Sequence, residues 1–170
     1  MVKCPMDFIV LSLGSNIGDR GANLDQARHL LEMRGVEVLK SSSLYETEPY
    51  GISEQPDFLN RVLLVHANQT ADELLKTCLQ IETDMGRVRT EKNGPRIIDI
   101  DVLFYKNIVL EKEHLTLPHK GIATRRFVLQ PLNEVAGHQI HPIFGKTIQE
   151  LLAQCTDELQ VKKYFEGEVG

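Results

Sequence analysis

An α+β fold, with helices packed on an antiparallel sheet, is predicted by three observations in this 170-residue sequence. Two amphipathic stretches with clear start and stop signals alternate with short apolar runs rich in β-branched residues. Through residue 105 these come in the order β-α-β-β-α-β. No internal repeat or low-complexity stretch interrupts them.

The first run, Phe8 to Leu13, reads as a largely buried strand ended by Gly14-Ser15-Asn16. Asn23 is placed to cap a helix from Leu24 to about Arg34, with Leu24, Ala27, Leu30 and Leu31 as its apolar face and Gly35 as its stop. Val36 to Thr47 reads as a strand. Pro49, Gly51 and Pro56 make Glu48–Asp57 an irregular loop, and Phe58 to Val65 is the next strand. Thr70-Ala71-Asp72-Glu73 is a capping box opening a helix through Met85, which Gly86 ends. A polar loop leads into the strand Ile97 to Tyr105, and Lys106-Asn107 is placed to turn it into a short hairpin. Beyond residue 119 mostly helical turns are expected. Two split βαβ units in this order give a ferredoxin-like sandwich, helices on one face of an antiparallel sheet, with an extra C-terminal hairpin and helices. One domain over residues 1–170 is expected at this length.

Composition narrows the class of function. Phe8 to Leu13 is too short to span a bilayer and lacks the flanks of a signal peptide. Three widely spaced cysteines, Cys4, Cys78 and Cys155, suit neither a disulfide framework nor a zinc site. A cytoplasmic protein with no membrane partner follows. The net charge of −5, a pI near 5.7 and 6% aromatic residues argue against a nucleic-acid partner. Yet residues 86–126 hold nine Lys/Arg against five Asp/Glu, a local cationic segment suited to a small polyphosphate. No long apolar stripe is left over, so a monomer is expected.

Chemistry concentrates around Asp99-Ile100-Asp101. On a strand, residues two apart share a face, so both carboxylates project together and repel unless a cation neutralises them. Mg²⁺ suits the pair, since it takes one or two carboxylates and completes its octahedron with water and phosphate oxygens. Arg87, Arg89 and Arg96 flank the loop just upstream and are placed to fork onto a triphosphate. A solvated aspartate pair, or an Arg–Asp ion-pair cluster, uses the same residues. Pro118-His119-Lys120 with Arg125-Arg126 forms a second cationic group. Phe58 and Asn60 share a strand face, where a ring can stack on a flat heterocycle and an amide can read its edge; a core Phe beside a capping Asn is the alternative. Gly145-Lys146-Thr147 is no P-loop, because the glycine required earlier is Ile140.

Seven segments in order resemble the 6-hydroxymethyl-7,8-dihydropterin pyrophosphokinase family over nearly the whole chain. They are Leu13-Gly14-Ser15-Asn16 with Gly18-Asp19; Ser42 to Thr47; Gln55 to Asn60; Glu82 with Gly86 to Arg89; Gly94-Pro95-Arg96-Ile97-Ile98-Asp99-Ile100-Asp101; Leu115 to His119; and Arg125 to Leu132. The resemblance implies transfer of pyrophosphate from ATP to the pterin hydroxymethyl group, giving AMP and the pterin diphosphate in folate biosynthesis. It implies two Mg²⁺ ions on Asp99 and Asp101, with Arg87 and Arg96 also catalytic. It implies ATP contacts from Glu82, Arg89, Lys92, Val102, His114, Leu115, Thr116, His119, Lys120 and Arg125. It implies a pterin held by Thr47, Glu48, Tyr50, Phe58, Asn60 and Phe127. Lys92-Asn93 stands where some members carry Arg-Trp, and Leu79, His114 and Lys120 also depart from the usual pattern. Altered nucleotide contacts or loop closure are expected there, with the reaction unchanged.

Overall fold

The computed structural model describes residues 2–52, 54–88 and 94–165. The chain runs β1 (Cys4–Pro5), β2 (Ile9–Ser15), α1 (Arg20–Met33), β3 (Glu37–Ser41), β4 (Leu44–Thr47), β5 (Phe58–His66), α2 (Ala71–Asp84), β6 (Asp99–Tyr105), β7 (Leu110–Glu111), β8 (Thr116–Leu117), α3 (Arg126–Ala136), β9 (Gln139–Ile140), α4 (Ile148–Gln154) and β10 (Val161–Tyr164). The main sheet has the order β10-β4-β5-β2-β6, with β3 also paired to β5, and all of its ladders are antiparallel. Two short ladders stand apart: β1 with β9, parallel, and β7 with β8, antiparallel.

Strand β2 is buried along its whole length, because its apolar residues serve two cores. Ile9, Leu11 and Leu13 face α1 and α2, meeting Leu24, Ala27 and Leu31 from the first and Leu74, Cys78 and Ile81 from the second. Val10 belongs to the other core, with Val62, Leu64 and Phe104 beneath Val128, Leu129 and Leu132 of α3 and Ile148 and Leu151 of α4. Helices therefore cover both faces of the sheet, not the single face expected from sequence. An apolar run buried on both sides requires this second cover.

Several local expectations are met and others corrected. The capping box of α2 is present, Thr70 and Glu73 each accepting the other's backbone N–H. The cap of α1 is Asp19, not Asn23: its carboxylate accepts from the Ala22 N–H at 3.1 Å, so the helix starts a turn early. Asn23 instead donates to Ser15 Oγ and the Ile17 carbonyl. The expected strand Val36–Thr47 breaks at Ser42-Ser43, where the Ser42 hydroxyl replaces a ladder acceptor by taking the Val62 N–H. Glu134 of α3 takes the Ser43 N–H and hydroxyl and the Tyr45 hydroxyl, at 3.0, 2.7 and 2.6 Å, which fixes the break against the helix. After the turn at Lys106-Asn107, β7 pairs with β8 and not back onto β6. The Gly-Lys-Thr segment ends in a helix cap, Thr147 accepting from Glu150 N. Among the described residues no helix is long and apolar enough to cross a membrane.

Candidate active site

The α3–α4 cover stops halfway along the sheet, and the strand residues change character where it stops. On β2 the covered Val10 is followed, on the same face, by Ser12 and Gly14. Gly14 pairs with Asn60 of β5 on one side and Asp99 of β6 on the other, and Ser12 pairs with Asp101. Directly opposite residues share a face, so an amide, a glycine and two carboxylates floor one open cleft. A Cβ at position 14 would come within 2.6 Å of Asn60 Oδ1, which makes glycine necessary there.

Two clefts meet on this floor. The first has a volume of about 540 Å³, its open mouth included. Thr47, Glu48, Tyr50, Phe58, Asn60, Arg125 and Phe127 line it together with Arg96. Every residue that the family resemblance assigns to the pterin is therefore gathered here. The second cleft, about 830 Å³ on the same basis, is lined by Leu75, Leu79, Glu82, Val102, His114, Leu115, Thr116, His119 and Lys120. Asp99 and Asp101 line both. Arg89 and Lys92 lie outside the described residues.

The two carboxylates differ in environment. Asp99 accepts from Arg87 Nη1 through one oxygen at 2.9 Å and from Arg96 Nη1 through the other at 3.0 Å. Arg87 also meets Glu82 Oε2 at 2.9 Å, and that buried carboxylate accepts the Ile100 N–H at 2.7 Å. The Arg–Asp ion-pair cluster left open by the sequence thus exists, but it spares one aspartate. The Asp101 carboxylate has no hydrogen-bond or ion-pair partner among the described residues, and only its backbone is paired, with Ser12. Burial, then Asp99 and Glu82, push its pKa up to about 7, against the opposing pull of Arg125 and Arg96. Two carboxylates on one face, one of them unpartnered, fit a hard divalent cation. No group of three or more His, Cys, Asp or Glu able to hold a metal exists among the described residues, so such a cation would take its remaining oxygens from phosphate and water.

The cationic walls are also set in place. The Arg125 guanidinium lies 4.7 Å from the Tyr50 ring centroid and 6.0 Å from that of Phe127, and its buried Nε has no hydrogen-bond partner among the described residues. It rests against Gly121, where a Cβ would approach it to 2.9 Å. Arg96 lies 5.4 Å over Phe58. His119 Nδ1 accepts from the Gly121 N–H at 3.0 Å, which leaves the ring proton on Nε2 as a donor. Burial and the Arg125 charge lower its pKa, with partial opposition from Asp99, so the neutral donor is the form present near neutral pH. Asn60 Nδ2 donates to Thr47 Oγ1 at 2.6 Å, leaving its carbonyl aimed over Gly14. Glu48 accepts from the Gln160 N–H, which ties the loop to the chain before β10.

The remaining predicted positions sit further out. His114 bonds Asp72 at 2.8 Å beside Lys112, and exposed Lys120 lies 3.8 Å from Glu111. The sequence marked Gly14 only as a strand stop and as part of a family segment, and gave no site role to Ser12, Gly14 or Gly121; the alternation Val10-Ser12-Gly14 was the available signal.

A family model described as 7,8-dihydro-6-hydroxymethylpterin-pyrophosphokinase (HPPK) matches residues 10–137. A 2-amino-4-hydroxy-6-hydroxymethyldihydropteridine pyrophosphokinase of Methylorubrum extorquens is 44% identical over 145 residues, 85% of this chain and 90% of that protein. The Folic acid synthesis protein fol1 of Schizosaccharomyces pombe is 43% identical over 84% of this chain, which spans only 20% of that protein's length. A crystal structure of Plasmodium falciparum HPPK-DHPS superposes with a TM-score of 0.68 at 20% identity, covering 87% of this chain and 43% of that one. With that match and those floor residues, the chain belongs to the 7,8-dihydro-6-hydroxymethylpterin-pyrophosphokinase family.

Proposed function

We propose that this chain transfers the β,γ-pyrophosphoryl group of ATP to the hydroxymethyl oxygen of 6-hydroxymethyl-7,8-dihydropterin. The observation that carries this reading is that Asp99 and Asp101 line both the aromatic cleft and the cleft beside α2. In the reaction the pterin oxygen attacks the β-phosphorus and loses its proton, the α–β bridging bond breaks, and AMP leaves. The names of the relatives support the substrates.

Placement in the two clefts supports the residue roles that the family resemblance implies. Phe58 and Phe127 would hold the pterin ring, and Asn60 would read its edge. Arg87 and Arg96, already forked onto Asp99, stand where their charge would offset that of the transferred phosphates. His119 Nε2 and Arg125 would donate to ATP oxygens. Asp99 and Asp101 would hold Mg²⁺, two ions in this reading, which when bound neutralises phosphate charge and makes the β-phosphorus more electrophilic. The strand order supports a ferredoxin-like frame of two split βαβ units, extended by α3 and α4 into one pyrophosphokinase domain over residues 1–170. Three free cysteines support a reducing, cytoplasmic setting.

The test is to incubate the protein with ATP, Mg²⁺ and the reduced pterin, with Asp99→Ala/Asp101→Ala as blank. AMP formed in step with pterin diphosphate, and lost in the blank, is the expected result. ADP as product would reject pyrophosphoryl transfer.

A further inference from the structure

Asn16 stands where two segments of the site meet, and it is 2% exposed. Its Oδ1 accepts the backbone N–H of Arg96 at 2.8 Å, while its own N–H donates to the Arg96 carbonyl at 3.1 Å. Its Nδ2 donates to Gln55 Oε1 and to the Pro56 carbonyl, both at 2.9 Å. Only the amide oxygen can accept the Arg96 N–H, so the orientation of the group is fixed. One end of the amide holds the backbone that sends Arg96 to Asp99. The other holds the turn that delivers Phe58 and Asn60 to the aromatic cleft. Asn16 itself lines neither cleft.

We propose that Asn16 is a positioning residue that locks the pterin-side turn to the phosphate-side arginine segment, so that the two clefts keep one relative alignment. This rests on the transfer reading above. A residue serving only to cap a local loop has no use for partners 39 and 80 positions away in sequence on opposite ends of its amide. In-line transfer between two bound substrates does need that link, since misplacement by about 1 Å can cost about 100-fold in rate.

The test compares Asn16→Asp and Asn16→Ala for kcat, both KM values, and dissociation constants for the reduced pterin and for Mg·ATP. Asn16→Asp keeps the acceptor for Arg96 but loses both donors, and sets a carboxylate against the Pro56 carbonyl. The pterin dissociation constant is expected to rise about tenfold while that of ATP stays within about twofold. Asn16→Ala releases both ends, and kcat is expected to fall about 100-fold with both constants raised. Gln55→Ala removes one acceptor of Asn16 Nδ2 together with the Gln55 bond to the Ile52 carbonyl, both on the pterin side; it keeps the test readable should an Asn16 variant fail to fold, and is expected to weaken pterin binding alone. Constants within about twofold of wild type, or an Asn16→Asp loss falling equally on both substrates, would overturn the proposal. If the wild type forms no AMP, the transfer reading fails, and the two dissociation constants across the variants still decide the positioning role.

Discussion

Gly14 and Asn60 face each other across the β2–β5 ladder so closely that the Asn60 carbonyl occupies the space a methyl group on residue 14 would need. The Asn60 side chain cannot swing aside freely, because it is buried and bonded to Thr47. Overpacking of this kind typically costs about 1–3 kcal/mol, or about 5- to 150-fold in binding. Gly14→Ala is therefore expected to weaken pterin binding by that factor and to leave Mg·ATP affinity within about twofold, as read by titration calorimetry.

Glu82 serves the fold as well as the cleft it lines. It is 3% exposed, pairs with Arg87 and takes the Ile100 N–H. Glu82→Ala would leave the Ile100 N–H without its acceptor and Arg87 with Asp99 alone of its two carboxylates described above, and is expected to cost about 3 kcal/mol in urea unfolding. Glu82→Gln, which keeps an acceptor for Ile100, should cost less, about 2 kcal/mol.

Asp101 carries the opposite kind of tension. Its folded-state pKa of about 7 lies above the ordinary 3.8, so the folded protein binds the proton more tightly than the unfolded chain does. Stability from this group is full below about pH 4 and is lost as pH rises to about 7. Without added metal, Asp101→Asn should gain melting temperature over wild type as pH is raised across that window. Adding Mg²⁺ and a non-hydrolysable ATP analogue should raise the wild type more than the variant.

His141 gives a pH response of reversed sign. Burial beneath Phe104 and Phe144 lowers its pKa to about 4, while its Nδ1 accepts the Ile143 and Phe144 N–H groups. The unfolded chain binds the proton first as pH drops, so stability falls between about pH 6.5 and 4. The loss reaches at most about 3 kcal/mol. His141→Asn keeps an acceptor at that position, and its unfolding free energy should be flatter with pH over this window even though its absolute stability is lower.

The sequence displayed whatever was local. Period-two spacing put Asp99 with Asp101, and Phe58 with Asn60, on shared faces, and both pairs do line the site. Thr70 and Glu73 announced the start of α2 three residues apart. Hidden were the relationships spanning long separations: Asn16 with Arg96, Glu134 with Ser43 and Tyr45, and the second helical layer over Val10 and Val62. Periodicity reports which way a side chain points and is silent on what it will meet. The start of α1 was missed for a related reason: its first turn, Arg20-Gly21-Ala22, has neither an apolar face nor a strong helix former at its centre, and Asp19 gave the only cue.

The row Asn60–Gly14–Asp99 also acts as a ruler. Three adjacent strands fix the Asn60 amide and the Asp99 carboxylate two strand spacings apart, roughly 9.5 Å. Backbone ladders hold that distance more stiffly than any pair of loops would. In the proposed transfer, a heterocycle would react only if its recognised edge and its reacting oxygen are separated by a matching length. On the proposed reading, selectivity among pterins of different side-chain reach would be set by the pitch of the sheet itself, before any wall of the cleft is felt.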